Sequence, residues 1–284
     1  MRNRLSAVIC ALTALLSVLP MPPAVSAGGI AQQYQPEVGQ EGKDVVWVPT
    51  PEALVATMLD LAKVTPEDYV IDLGSGDGRI VIAAAKRGAR ALGFEYNPDM
   101  VALSRLNAEK AGVSGKANFM QADIFQADFS RATVLTLYLL PDLNLKLRPK
   151  ILDLKPGTRV VSNAFTMGDW DPDNTAEVEG RTAYFWIVPA KVAGTWNWQT
   201  RSGNAELTLR QTYQKIEGSL ELDNKVAPLQ DARLQGDQIS FAVKEGNPSV
   251  RMFSGRVRGN VITGIAKVAD SPGSKWTAQR RPDK

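Results

Sequence analysis

Two kinds of hydrophobic pattern divide the sequence. Between residues 51 and 163, short runs of apolar residues alternate with segments in which apolar residues recur every three or four positions. The runs predict buried strands, and the periodic segments predict helices. Strands that alternate with helices in this way predict a parallel sheet that is covered by helices on both faces.

The boundaries of these elements follow from the pattern and from the prolines. We predict strands at Tyr69–Leu73, Ala91–Glu95, Ala117–Met120, Val134–Leu140 and Thr158–Asn163, and helices at Pro51–Leu61, Arg79–Arg87, Pro98–Ala111 and Pro141–Leu154. Pro149 has no backbone N–H and is expected to interrupt the last helix. The prediction is therefore an α/β domain over residues 46–189.

A different pattern begins near Pro189. From Gly194 onward, helical periodicity disappears and short alternating segments follow one another. A 23-residue repeat aligns the segments that begin at Tyr213, Gly236 and Gly259, and it places Ile216, Ile239 and Ile262 at equivalent positions. Such a repeat predicts an antiparallel meander, which closes or packs to hide its edges. We predict a small antiparallel β-barrel or half-barrel over residues 190–284.

The ends of this second region also carry a pattern. Gly194-Thr195-Trp196 stands at its start, and Trp276 and Arg280 stand near its end. This arrangement weakly resembles lipocalin and avidin barrels, in which a Gly-x-Trp on the first strand packs near an arginine of the last strands. We expect a structural or docking role for this domain in preference to a ligand cavity.

The N-terminal residues have the features of an export signal. Arg2 and Arg4 precede an apolar run, which Pro20 ends, and Val25-Ser26-Ala27 precedes Gly28. The run, Leu5–Leu19, has about 15 residues, which is fewer than the roughly 20 that a membrane span needs, so we expect no stable membrane span. The sequence predicts a signal peptide over residues 1–27, cleavage before Gly28, a polar linker or arm over residues 28–45, and a periplasmic or secreted protein.

A glycine-rich turn follows the first predicted strand. Its sequence is Asp72-Leu73-Gly74-Ser75-Gly76-Asp77-Gly78, between a strand and a helix. Glycines allow the backbone to turn sharply and to approach a ligand, and the helix N-terminus offers free N–H groups. The spacing differs from the Gly-x-Gly-x-x-Gly of dinucleotide-binding proteins. A preceding acid suits a ligand that carries an ammonium group.

Two further acids follow the next two predicted strands. Glu95 lies 17 residues after Gly78, at a strand end where a carboxylate can accept hydrogen bonds from ribose hydroxyls. Asp123 follows the third strand, where it can accept a hydrogen bond from an exocyclic adenine amine while Ile124 and Phe125 pack on the ring. Together with Asp72, these positions predict a site for S-adenosylmethionine.

The sequence resembles the class I S-adenosylmethionine-dependent methyltransferases over residues 46–189. The glycine motif, Glu95 and Asp123 carry the resemblance. It implies a Rossmann-like sheet and the cofactor S-adenosyl-L-methionine. The cofactor-binding residues that we predict are Asp72, Gly74, Ser75, Gly76, Glu95, Tyr96, Asn97, Asp123 and Ile124.

A narrower resemblance concerns the region after the fourth strand. Tyr138-Leu139-Leu140-Pro141, the segment Leu154–Ser162, Phe165 and Trp170 are similar to the small mitochondrial protein-lysine methyltransferases that modify the ATP synthase c subunit and the adenine nucleotide translocase. This implies N-methylation of a protein lysine or another small amine, with Tyr138 as the candidate catalytic residue. A lysine amine must first lose a proton, through desolvation in an apolar slot or through a hydroxyl such as that of Tyr138. Both routes stay open.

Composition limits the remaining chemistry. The chain has no histidine, and its one cysteine is Cys10, so the sequence excludes Ser-His-Asp triads, Cys-His dyads and His/Cys metal sites, and we predict no metal.

Residues 28–189 hold 16 basic and 21 acidic residues, a net charge of −5, whereas residues 190–284 hold 15 basic and 9 acidic residues, a net charge of +6. Because the basic residues are dispersed, we expect no nucleic-acid partner. The alternative function is an exported, non-catalytic binding protein that retains the methyltransferase fold.

Overall fold

The computed structural model describes residues 34–44, 46–244, 249–268 and 271–282. The predicted signal peptide lies outside the described residues, as does the predicted cleavage position at Gly28. Among the described residues, no helix combines the length and the apolar character that crossing a membrane requires.

The first part of the chain forms a seven-stranded sheet with four helices. In chain order, the elements are α1 (Glu52–Leu61), β1 (Tyr69–Leu73), α2 (Arg79–Lys86), β2 (Arg90–Glu95), α3 (Pro98–Lys110), β3 (Ala117–Gln121), β4 (Val134–Leu137), α4 (Pro141–Leu152), β5 (Arg159–Asn163), β6 (Asn174–Val178) and β7 (Arg181–Ile187). The strand order is β3-β2-β1-β4-β5-β7-β6. The first five strands pair in parallel, and β7 and β6 are antiparallel.

Successive side chains along the parallel strands pack alternately in two separate hydrophobic cores. Val70 packs in the core that α1, α2 and α3 cover, and its neighbour Ile71 packs in the core that α4 covers. Both side chains are buried. Successive side chains of a strand point to opposite faces, so continuous apolar runs give a sheet that is buried on both sides. The predicted α/β fold with helices on both faces is confirmed.

Apart from shifts of one or two residues at the ends of elements, three details differ from the sequence prediction. Pro149 does not interrupt α4, which runs through it, because Leu147 and Ile151 are buried against the sheet and offset the loss of one helical hydrogen bond. β4 ends at Leu137 instead of Leu140. The prediction also lacked β6, whose segment has no apolar run, and β7, although Ala183–Ile187 is a run of five apolar residues.

The second part of the chain is a nine-stranded antiparallel sheet. It comprises β8 (Gly194–Gln199), β9 (Asn204–Thr212), β10 (Lys215–Leu222), β11 (Lys225–Pro228), β12 (Gln230–Gln235), β13 (Gln238–Lys244), β14 (Val250–Arg258), β15 (Val261–Val268) and β16 (Ser274–Arg280). The order is β11-β10-β9-β8-β16-β15-β14-β13-β12. Leu229, between the two edge strands, donates its N–H to the carbonyl of Gly218 in β10 at 3.0 Å. The sheet is therefore a nearly closed barrel, as predicted.

The 23-residue repeat corresponds to three hairpins with two-residue turns. The turns are Tyr213-Gln214, Gly236-Asp237 and Gly259-Asn260, and in each hairpin the equivalent isoleucine lies second in the returning strand and is buried. Aromatic side chains fill the barrel core, and the guanidinium carbon of Arg280 lies 4.5 Å from the ring centroid of Trp196. The boundary between residues 189 and 190 stays a prediction.

Candidate functional site

A cavity lies at the carboxyl ends of the parallel strands. Its volume is about 310 Å³. This is the edge at which open α/β sheets bind ligands. The structure brings all ten predicted site residues into its lining: Asp72, Gly74, Ser75, Gly76, Glu95, Tyr96, Asn97, Asp123, Ile124 and Tyr138. Their individual roles stay predictions.

The glycine turn requires glycine at two positions for a steric reason. Gly76 has a φ of +54°, and a Cβ there would lie 2.7 Å from Nε1 of Trp47. Gly78, which precedes α2, has a φ of +85°, and a Cβ there would lie 2.7 Å from Cζ of Phe119. Both conformations favour glycine. The turn is therefore fixed between the sheet and the segment that contains Trp47.

Asp72 lines the cavity and is almost fully buried. Its Oδ1 accepts a hydrogen bond from the hydroxyl of Thr136 at 2.6 Å. Burial raises the pKa of Asp72 to about 7; the Thr136 hydrogen bond opposes the rise, whereas the charges of Glu95 and Asp77 add to it. A cation bound beside this carboxylate would stabilise its charged form.

Glu95 organises the backbone around the cavity. Its Oε2 accepts a hydrogen bond from Gly76 N–H at 2.9 Å, and its Oε1 accepts one from Asn97 N–H at 2.9 Å. Asn97 in turn caps α3 by accepting a hydrogen bond from Asp99 N–H at 2.9 Å. One carboxylate thus connects the glycine turn to the end of β2.

Asp123 is paired with a residue that the sequence did not indicate. Lys43 Nζ lies 2.7 Å from Asp123 Oδ2 and 4.8 Å from the ring centroid of Tyr96. The hydrogen bond lowers the pKa of Asp123 and raises the pKa of Lys43. Phe125, which we expected to pack on a bound ring, is absent from the cavity lining; its ring centroid lies 3.8 Å from Lys146 Nζ.

Lys43 belongs to a segment that crosses the cavity. We call residues 34–44 and 46–50 the strap; its residues 40–44 and 46–50 line the cavity. Gly39 N–H donates to the carbonyl of Trp47 at 2.8 Å, and Trp47 N–H donates to the carbonyl of Gln40 at 2.9 Å. Sequence reasoning missed Lys43 and Trp47 because the strap has no hydrophobic periodicity. The aromatic residue before Pro49 was the one available signal.

An aromatic pair forms the wall of the cavity beside β4 and β5. The rings of Tyr138 and Phe165 stack with centroids 6.2 Å apart and an interplanar angle of 21°. Phe165 N–H donates to the carbonyl of Asn163 at 2.8 Å, across Ala164, which has a φ of +64°. This is a tight turn in a conformation that disfavours alanine, and such strain is characteristic of functional sites. The turn directs Phe165 into the cavity.

The described residues contain no group of three or more acidic, histidine or cysteine side chains that could hold a metal ion. The cavity instead has a marked charge imbalance. Its lining contains six carboxylates and two cationic side chains: Glu41, Asp44, Asp72, Asp77, Glu95 and Asp123 against Lys43 and Arg79. Both cations are already paired, since Arg79 Nη2 lies 2.6 Å from Asp77 Oδ2 and Lys43 contacts Asp123. The site favours a cationic ligand.

Known proteins resemble this half of the chain. The ANTKMT methyltransferase domain matches residues 72–174. A protein-lysine N-methyltransferase of Saccharolobus islandicus (strain REY15A) is 44% identical over 151 residues, which cover 51% of this chain and 94% of that protein. The lysine N-methyltransferase of Mus musculus that is named for the c subunit of ATP synthase is 42% identical over 107 residues, 37% of this chain. The match covers 43% of the mouse protein, less than half of its length.

A solved structure matches the same half. The crystal structure of an RNA methyltransferase from Salinibacter ruber, in complex with S-adenosyl-L-homocysteine, is 53% identical and has a TM-score of 0.50. The match covers 51% of this chain and 96% of that one. These similarities, together with the glycine turn and the parallel sheet, confirm the resemblance inferred from the motifs. The chain belongs to the ANTKMT family of class I S-adenosylmethionine-dependent methyltransferases.

Proposed function

We propose that this protein transfers methyl groups from S-adenosylmethionine to the side-chain amine of a protein lysine. The observation that carries the proposal is an aromatic wall in a cavity whose lining, besides the carboxylates that we assign to the cofactor, also contains those of Glu41 and Asp44. A lysine side chain matches both features, since its ammonium head is attracted by carboxylates and its alkyl stem packs on rings. The named lysine methyltransferases among the relatives support the same substrate class.

The residues of the cavity fit the cofactor. Ser75 Oγ is buried and has no hydrogen-bond partner among the described residues, and it lies in the same turn as Gly74 and Gly76, near Asp72. A buried hydroxyl and a buried carboxylate suit the polar amino-acid part of S-adenosylmethionine. Glu95 would hold the ribose, and Asp123 and Ile124 would hold the adenine. When bound, S-adenosylmethionine supplies an electrophilic methyl group on a sulfonium.

The aromatic wall gives this chain a way to prepare the acceptor. A lysine amine has a reference pKa of about 10.4, and desolvation favours its neutral form. Tyr138, Phe165 and the buried Leu139 form an apolar wall that would exclude water from the amine. Orientation in such a slot contributes to the rate because the two reacting groups are held together.

The electrostatics also favour protein over nucleic acid. A phosphate backbone would meet the carboxylates of the cavity lining and be repelled. The Salinibacter neighbour is nevertheless described as an RNA methyltransferase, so RNA is the competing substrate. The experiment that tests the proposal incubates the purified protein with S-adenosylmethionine carrying a tritiated methyl group and with three acceptors. These are degenerate peptides with a central lysine, the same peptides with a central arginine, and total tRNA.

Labelling of the lysine peptides alone is the expected result, with mass spectrometry locating the methyl group on the side-chain nitrogen. Labelling of tRNA alone would overturn the lysine proposal. Tight binding of S-adenosylmethionine without transfer to any acceptor would favour the non-catalytic alternative.

We also propose that the protein is exported to the periplasm or secreted. Arg2, Arg4, the apolar run and Val25-Ser26-Ala27 support this location. The sequence after residue 27 contains no cysteine, which suits an oxidising compartment. N-terminal sequencing of the protein from fractionated cells should find Gly28 in the extracytoplasmic fraction. An uncleaved chain in the cytosol would contradict the proposal.

A further inference from the structure

The wall residue Phe165 lies near the start of a loop that contacts the nine-stranded sheet of residues 194–280, which we call the β domain. We call residues 164–171 the acceptor loop. On one side, α4 holds this loop: Asn144 Nδ2 donates to the carbonyl of Thr166 at 3.2 Å, and Arg148 Nη1 donates to the carbonyl of Met167 at 2.7 Å. Helix α4 itself begins directly after the cavity residues Leu139 and Leu140. This side of the loop is thus part of the methyltransferase domain.

The tip of the β9–β10 hairpin holds the other side of the acceptor loop. The Tyr213 hydroxyl donates to Asp169 Oδ1 at 3.1 Å, and the Tyr213 ring stacks on Trp170 with centroids 5.9 Å apart and an interplanar angle of 22°. Gln214 Nε2 donates to the carbonyl of Asp171 at 2.8 Å, and Lys215 forms an ion pair with the Asp171 carboxylate. Three consecutive residues of the β domain therefore contact three consecutive residues of the loop.

The repeat shows that Tyr213 stands at a position that favours glycine. The first turn residues of the three equivalent hairpins are Tyr213, Gly236 and Gly259, with φ values of 54°, 58° and 57°. A residue with a Cβ is disfavoured in this conformation, and hairpin turns of this kind normally carry glycine there. Tyrosine occupies the one turn of the three that contacts the acceptor loop. Backbone strain of this kind persists where surrounding contacts hold the residue in that conformation, and it is concentrated at functional sites.

We infer that the Tyr213–Lys215 hairpin tip is a positioning element for the acceptor loop, and that through this loop the β domain keeps Phe165 against Tyr138. This inference rests on the proposed function, because it assigns the aromatic wall to the acceptor. It gives the β domain a role in the reaction, although the family match ends at residue 174, before the hairpin.

The test uses the full chain with the substitution Tyr213→Gly. Glycine removes the ring and also removes the strain of a side chain at positive φ, so the fold is expected to persist. Asn224→Gly is the matched control, because Asn224 also has a positive φ, 59°, in the β10–β11 turn. Tyr213→Phe keeps the ring and removes the hydroxyl. Three quantities are measured: hydrogen exchange of peptides that cover residues 164–171, the Kd for S-adenosylhomocysteine, and kcat and KM with the lysine-centred peptides.

We expect exchange in the acceptor loop to be at least about tenfold faster in Tyr213→Gly and unchanged in Asn224→Gly. We expect the peptide KM to rise at least about fivefold. The Kd for S-adenosylhomocysteine should stay within about twofold, because the predicted cofactor-binding residues lie outside residues 164–171. Tyr213→Phe should restore most of the KM. Unchanged exchange in Tyr213→Gly, or faster exchange with unchanged kcat/KM, would overturn the inference. Absence of methyl transfer by the unmodified protein would instead count against the proposed function, and the exchange data would still decide whether the hairpin holds the loop.

Discussion

The Thr136 hydroxyl donates a 2.6 Å hydrogen bond to Asp72, a carboxyl group whose pKa burial raises to about 7. The folded state therefore binds a proton between the ordinary pKa of 3.8 and about 7, where the unfolded chain has lost it. The free energy of unfolding contributed by Asp72 falls as the pH rises through this window.

Asp72→Asn removes this titration. We expect the variant to gain stability relative to the unmodified protein as the pH rises from 5 to 8, which urea unfolding at both pH values would measure. Thr136→Val removes the hydrogen bond that opposes the pKa rise, so the pKa of Asp72 should be higher still in this variant. The decline in its free energy of unfolding should therefore continue to a higher pH. An equal pH dependence in Asp72→Asn and the unmodified protein would contradict the assignment.

Asp72 should also make the affinity for the cofactor depend on pH. The affinity should rise with pH over the range in which the free energy of unfolding falls. A charge-assisted hydrogen bond contributes about 1.5–3 kcal/mol, so Asp72→Asn should weaken binding of S-adenosylhomocysteine about 10- to 100-fold at pH 8. Affinity for the unmodified protein should rise between pH 6 and 8 as Asp72 ionises. Calorimetric titration at three pH values measures both effects; a pH-independent affinity would exclude Asp72 from the ammonium site.

The ion pair between Lys43 and Asp123 predicts coupled effects on binding. Ion pairs that solvent reaches contribute little free energy, so Lys43→Ala should weaken S-adenosylhomocysteine binding by less than about fivefold. In an Asp123→Asn background, Lys43→Ala should have no further effect, since its partner charge is gone. Lys86→Ala, at an exposed position of α2, is the control. Additive losses would show that the two residues act separately.

Gly76→Ala should destabilise the protein by about 1–3 kcal/mol, because the added Cβ meets Trp47 and the φ is positive. Gly112→Ala separates the two causes: Gly112 has a φ of +70° and no atom within 4 Å of the added Cβ. It should cost about 1 kcal/mol from backbone strain alone. Urea unfolding measures both variants, and equal losses would mean that the contact with Trp47 has no energetic effect.

Two variants of Tyr138 distinguish its ring from its hydroxyl. Tyr138→Ala removes the stack on Phe165 and should lower kcat/KM for lysine peptides at least about tenfold, whereas Tyr138→Phe retains the stack and should lose much less. Initial rates at saturating cofactor measure both. If Tyr138→Phe were as damaging as Tyr138→Ala, the hydroxyl would be the group that removes the proton from the amine.

The extent to which sequence predicted this site depended on periodicity. Asp72, Glu95 and Asp123 could be predicted because each follows an apolar run, and the carboxyl ends of parallel strands meet at one edge. Lys43 could not be predicted, because its position depends on a partner 80 residues away and the strap has no repeating pattern.

The aromatic wall shows the same limit for turns. Phe165 stood out as a residue of the resemblance, but its position depends on the positive φ of Ala164, which alanine does not indicate. The hairpin turn at Tyr213 was visible through the repeat, yet the contact of its side chain with Trp170 joins two domains that the sequence pattern treats separately. Local patterns therefore located the elements, and long-range contacts determined how the acceptor side is built.

We expect the strap to order late in folding. Its contacts lie far along the chain: Trp47 contacts the glycine turn, and Lys43 pairs with Asp123, which follows β3. Contacts between distant residues carry the largest entropic cost before they form, and here they need a finished sheet edge to bind. We therefore expect the strap to order after the sheet edge has formed, and to complete the lining of the cavity last.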